Sequence, residues 1–228
     1  LPLHARFPAG GAPVIGATLD YLDFRGLAPE QGRGLGLLGE ALLGAAAARR
    51  LDLGPGDHVV SDPATLFDLA GVYPLRLPVV GVLAPTGTPD DDAVFVDLRT
   101  AWVIEGIGHG HDDVIPDAPD DDADPAAPVE APAALRRYRE ITEANVDDFH
   151  FHGDAGGYPI SAVIAVPYDA RSAVILQGRY LDDAAADQIV RPSDLIGRLL
   201  ERIVRLRAAM DAAAALMATG AAAAIGLA

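Results

Sequence analysis

Four of the chain's six histidines fall in two His-x-His pairs, His109-Gly110-His111 and His150-Phe151-His152. Imidazole nitrogen suits borderline transition metals such as zinc and copper. In an extended segment residues i and i+2 share a face, so each pair presents two rings to one side. Two such pairs supply four nitrogens, the number that a tetrahedral zinc ion takes at about 2.0–2.1 Å per bond. Carboxylates lie beside both pairs: Glu105, Asp112 and Asp113 near the first, and Asp147, Asp148 and Asp154 near the second. Such groups serve as further ligands or as acceptors that orient the rings. The pattern predicts a divalent-metal site, zinc or copper, at His109, His111, His150 and His152. The plainer reading of the same residues is two solvated loop pairs in an acidic neighbourhood.

Other candidates are thinner. His4 and His58 stand alone and read as surface or core residues. Asp90-Asp91-Asp92 reads as a solvated turn capping the next strand, with a hard-cation site as the lesser alternative. Trp102, with Val103 and Ile104, reads as core. Ser161 lies in no Gly-x-Ser-x-Gly turn, so nucleophilic hydrolysis has no support. The chain has no cysteine, which excludes disulfides, thiolate metal sites and thiol catalysis. It also has no lysine, all 17 cations being arginine, so a P-loop nucleotide site is excluded. A formal charge of −16 disfavours nucleic acid as a partner.

The elements that must position these residues follow from periodicity. Half of the 228 residues are hydrophobic, enough to fill a core. Short extended stretches are expected around Pro13 to Leu19. Gly39 to Leu53 reads as a helix, with Arg49 and Arg50 at its C-terminal end. Gly54-Pro55-Gly56-Asp57 is a turn leading into a strand at His58 to Val60. Leu75 to Ala84 is the clearest strand, with Pro78 pointing to an edge or bulge. A strand at Ala93 to Val96 and a short helix at Leu98 to Ile104 follow. Residues 112–132 are rich in Asp, Pro and Ala and read as a mobile loop. Further strands are expected at Tyr138 to Ile141, at Ser161 to Val166 (buried) and at Gln188 to Val190, with a helix at Ala170 to Tyr180. The final helix starts near Ser193-Asp194-Leu195 and runs through Leu199, Leu200, Ile203, Val204 and Leu206 into the Ala-rich stretch Ala208 to Ala228. That stretch is long enough to open a membrane span, and its modest hydrophobicity leaves a buried soluble helix as the alternative. Strands and helices mix without strict alternation, which predicts an α+β fold with mixed sheets and flanking helices. The start of the chain lacks signal-peptide features, and the sequence reads as a piece of a longer protein.

Several of these segments carry a family pattern. Gly39, Glu40, Gly44, Ala48 and Leu51 fit Gly-Glu-x-x-x-Gly-x-x-x-Ala-x-x-Leu, and Gly56-Asp57 fit the turn that follows it. Val79-Val80-Gly81 and Asp91 through Val96 fit a Val-Val-Gly strand and an Asp-x-x-Val-Phe-Val element. Together, over roughly residues 13 to 228, they make the chain resemble the extracytoplasmic (periplasmic) core domain of ABC-transporter permeases of the MacB/FtsX type. The resemblance implies a MacB-like core domain at 1–205 and the start of a transmembrane helix at 206–228, in a cell inner membrane with this domain on the periplasmic side. It implies a non-enzymatic coupling role, with ATP bound by a separate ABC ATPase subunit. Its other implied partners are membrane lipid, a second permease copy or related permease, and an outer cargo or adaptor protein. The alternatives are a metal-dependent hydrolase, with Glu105 or Asp154 as base, and a soluble metal-binding module.

Overall fold

The computed structural model describes residues 1–62, 74–110, 139–180 and 187–226, with backbone alone from 221 onward. The chain divides into two compact units, Leu1–Ala165 and Val166–Ala228.

In the first unit the strands are β1 (Pro2–His4), β2 (Pro8–Ala9), β3 (Ala12–Ala17), β4 (Pro29–Gly32), β5 (Ala41–Leu43), β6 (His58–Val60), β7 (Arg76–Leu83), β8 (Val94–Asp97), β9 (Gly108–Gly110), β10 (Phe149–Phe151) and β11 (Ala162–Val163). Its helices are α1 (Leu19–Arg25), α2 (Ala45–Leu51) and α3 (Leu98–Ile104). The main sheet runs β11-β1-β3-β8-β5-β7-β4, with β2 on β3 and β6 on β7. It is mixed: β3 is parallel to β8 and β5 to β7, whereas β5 and β8 are antiparallel. The α+β expectation with a mixed sheet therefore holds.

The central strands are apolar on both sides, as a sheet covered on both faces requires. Along β8, Val94 and Val96 join one buried cluster and Phe95 the other. The first cluster includes Ala47 and Ala48 of α2, Ala101 and Ile104 of α3, and Phe149 of β10. The second holds Tyr21 and Leu22 of α1.

Several expected elements take a different form. The helix expected over 39–53 is a strand followed by a helix: Ala41–Leu43 form β5 between β7 and β8, and α2 begins only after Gly44. Leu42 and Leu43 lie in opposite clusters, so their burial fits a strand's alternation and tertiary pairing overrides helix propensity. The bulge expected near Pro78 is present: Ala41 pairs with Val79 and Leu42 with Gly81, leaving Val80 as the extra residue. The buried strand expected at Ser161 to Val166 is only the two-residue β11, exposed because it lies at the sheet edge with β1 as its neighbour. Of the strand expected at Tyr138 to Ile141, Tyr138 lies outside the described residues, and Glu140 makes a single bridge to Arg76. The loop expected at 112–132 also lies outside them.

The second unit carries α4 (Ala170–Gly178) and α5 (Pro192–Gly226). Asp169 caps α4, its carboxylate accepting the Ser172 N–H at 2.7 Å. No strand forms at Gln188 to Val190. Helix α5 has 35 residues, about 50 Å at 1.5 Å per residue. Leu195, Ile196, Leu199, Leu200, Ile203 and Val204 are all exposed on it. Among the described residues no helix is long and apolar enough to cross a membrane.

Candidate metal centre

The two histidine-bearing segments meet. β9 and β10 form a separate antiparallel ribbon in which Gly110 faces Phe149, His109 faces His150 and Gly108 faces Phe151. Alternation of side chains across a strand sorts these residues into two faces. Glycine and phenylalanine take one face, histidine the other.

The glycines make the apolar face possible. A Cβ at Gly108 would lie 2.5 Å from the Phe151 ring, and one at Gly110 would lie 2.7 Å from the Phe149 ring. Each ring thus covers the bare backbone of the facing strand. Phe149 is buried in the first core cluster. Phe151 lies under the Arg99 guanidinium, 5.1 Å from ring centroid to Cζ, and beside Tyr158 at 6.1 Å. Trp102 packs edge-on against Tyr158 at 5.0 Å and donates its indole N–H to the Pro159 carbonyl at 2.8 Å. Trp102 is half-buried, at the margin of the core where the sequence placed it inside.

On the opposite face the three rings converge. Centroid separations are 4.8 Å for His109–His150, 5.0 Å for His109–His152 and 4.8 Å for His150–His152. One nitrogen from each lies within 4.8 Å of the others. Tetrahedral zinc with bonds of about 2.05 Å needs its ligand nitrogens about 3.3 Å apart, up to about 1.5 Å closer than the 4.8 Å bound on these three. His109 and His150 are half-buried and His152 is exposed.

His150 has a defined orientation. Its Nδ1 lies 3.0 Å from the Asp148 carbonyl oxygen. A carbonyl only accepts, so this contact is a hydrogen bond in the tautomer that carries its proton on Nδ1.

The other predicted residues divide. His111, Asp112 and Asp113 lie outside the described residues. Glu105 is engaged elsewhere, paired with Arg6 and 3.0 Å from Nε2 of the buried His4. That His4 contact is close but lacks hydrogen-bond geometry, and neither His4 nitrogen has a hydrogen-bond partner among the described residues. Asp154 accepts the Gly156 N–H at 3.0 Å and caps a short 3-10 turn. The two carboxylates weighed as general bases thus have structural roles. His58 sits 3.2 Å from Glu140, which also pairs with Arg76. The Ser161 hydroxyl accepts the Ala5 N–H at 2.9 Å.

The aspartate triplet is internally satisfied. Asp90 accepts from Arg25 Nε at 2.9 Å and from the Tyr21 hydroxyl at 3.2 Å. Asp91 accepts the Thr86 and Gly87 N–H groups and the Thr86 hydroxyl, all at 2.8 Å. These bonds, the Thr86 N–H first, hold the Asp91 carboxyl below the usual range. Asp92 pairs with Arg50 at 2.8 Å.

A buried carboxylate in the family pattern also has a defined task. Glu40 accepts from the Arg33 guanidinium and from the N–H groups of Gly36 and Leu37, at 2.8 and 3.0 Å for the latter two. Burial pushes its pKa up, but those donors outweigh burial and hold it below the ordinary value. The sequence showed Glu40 as a pattern position without revealing this clamp; the nearby Arg33 and the Gly-rich run were its signal.

A mixed sheet with apolar clusters on both faces, and an imidazole-bearing ribbon, define an α+β domain. Residues 4–128 match the family model described as the MacB-like periplasmic core domain. The chain belongs to that family. Similar solved structures include the periplasmic region of MacB from Actinobacillus actinomycetemcomitans (18% identity, TM-score 0.34, covering 45% of this chain and 49% of that one). Another is the extracellular domain of the noncanonic ABC-type transporter YknZ from Gram-positive bacteria (16% identity, TM-score 0.34, covering 46% and 57%). The chain spans about half the length of these structures. No curated protein matches it by sequence.

Proposed function

We propose that this chain is the extracytoplasmic domain of an ABC-transporter permease and that it transmits ATP-driven motion of membrane helices to an outer cargo or partner. The observation that carries the reading is the family match over residues 4–128. In this reading the domain performs no covalent chemistry, and ATP is bound by a separate ATPase subunit. The core domain covers 1–205, and 206–228 begin a membrane-crossing helix. The permease sits in the inner membrane, in contact with lipid and with a second permease copy or a related permease. Helix α5 supports this as a mechanical element, since 35 residues of continuous helix carry displacement along one axis.

The second part of the proposal is a divalent-metal site, zinc or copper, at His109, His150 and His152, with His111 as the expected fourth ligand. What supports it is the convergence of three imidazoles on one ribbon face. The donors fit the ion: neutral nitrogen ligands, one of them oriented by a backbone carbonyl.

The absence of cysteine gives a direct test of the coupling. Spin labels are placed at Ala208→Cys and Arg99→Cys in the full-length protein, reconstituted with its ATPase. The expected result is a label separation that differs between the nucleotide-free and vanadate-trapped states. Identical separations, or failure of any ATPase to assemble with the protein, overturn the coupling.

A further inference from the structure

We infer that a divalent ion held by His109, His150 and His152 works as a removable staple that fastens strand β9 to strand β10; this rests on the metal reading above. The ribbon has two strands of three residues each. Two-stranded ribbons of this size are marginal on their own. Nor does a tight turn hold this one together, because roughly forty residues separate His109 from His150, and closing such a loop carries an entropy cost that grows as (3/2)RT ln n.

The three ligands are split between the strands, His109 on β9 and His150 and His152 at β10. An ion that binds all three must hold the strands in register. Opening the ribbon takes one ligand away from the other two, so the ion favours the closed form by mass action. The partition of side chains makes this separable from the core. The phenylalanines pack the ribbon against the domain from one face, while the histidines lie on the other and leave that packing untouched. The exposed position of His152 lets a chelator reach the ion. With imidazole nitrogens as donors, the class of ion is zinc or copper rather than calcium or magnesium.

Hydrogen exchange on the whole chain tests the staple, with zinc as the probe and EDTA to remove it. At free zinc 100 times its Kd, ribbon opening that releases the ion slows amide exchange about 100-fold at residues 108–110 and 149–151. Amides of β3 and β8 serve as the internal control and stay unchanged. His109→Gln abolishes the slowing while leaving the β3 and β8 amides protected, which separates loss of the staple from loss of the fold. One equivalent of bound zinc without slower ribbon exchange overturns the staple and leaves the metal site standing. No bound zinc at all overturns both.

Discussion

Two clusters of metal-ligand residue types among the described residues end differently. In Asp90-Asp91-Asp92 each carboxylate meets a donor from the protein: Arg25 and Tyr21 for the first, Thr86 and Gly87 for the second, Arg50 for the third. The triplet binds helices α1 and α2 to the loop before β8. On the β9–β10 ribbon the side-chain nitrogens of His109, His150 and His152 face one another. Charge density in a sequence therefore says little about ion binding until the donors around it are known. The ribbon became a candidate because glycine and phenylalanine took its other face.

That contrast can be broken by substitution. The largest effect is expected at the ribbon: His150→Ala lowers zinc affinity about 100-fold or more, the scale at which even supporting residues of metal sites act. Asp90→Asn in the same calorimetric titration leaves zinc affinity unchanged. Equal losses in both variants would erase the distinction between the clusters.

Next, Gly110→Val drives a side chain into the Phe149 ring and costs about 1–3 kcal/mol in urea unfolding, with a parallel loss of zinc affinity. A stable variant with normal zinc affinity would show that the ring packing does not set the histidine face.

Glu40→Gln costs about 2 kcal/mol, the scale of hydrogen bonds to a charged group. The sign of its pH dependence follows from its lowered pKa. The wild-type carboxylate contributes fully above the unfolded value of 4.5, and the contribution is lost as pH falls through the lower folded-state value. The stability gap between wild type and variant therefore narrows in acid. A gap constant from pH 7 to pH 3 contradicts the clamp.

The smallest effect belongs to Asp92→Asn. Its partner Arg50 and Asp92 itself are both substantially exposed, so melting shifts by less than about 1 kcal/mol equivalent and shrinks further in salt.

Much of the fold was legible because strong apolar runs have one good reading. β6, β8 and α3 fall where periodicity places them, and the bulge expected near Pro78 lies two residues on, at Val80. The segment 39–53 departs from the helix its periodicity suggests because Ala, Leu and Gly suit both helix and buried strand, and the pairing of Leu42 and Leu43 with distant strands is invisible locally. β11 is shorter and more exposed than its sequence suggests for a related reason: Val163 and its neighbours are apolar but sit at an edge with little to cover them. At the candidate site, spacing named the histidines, and parity along each strand correctly put His150 and His152 on one side. What spacing could not give was the partner strand. The register between β9 and β10 depends on phenyl rings seated over glycines across roughly forty residues of sequence. Glu105 illustrates the converse, since closeness in sequence to His109 did not bring it into the histidine set.

The central claim is that nitrogen donors from both strands hold one ion. Zinc K-edge X-ray absorption on the zinc-loaded, desalted chain tests it most directly. The account predicts a first shell at about 2.0–2.1 Å with imidazole outer-shell scattering from at least three rings. A shell of oxygen alone, or no zinc retained after desalting, contradicts it.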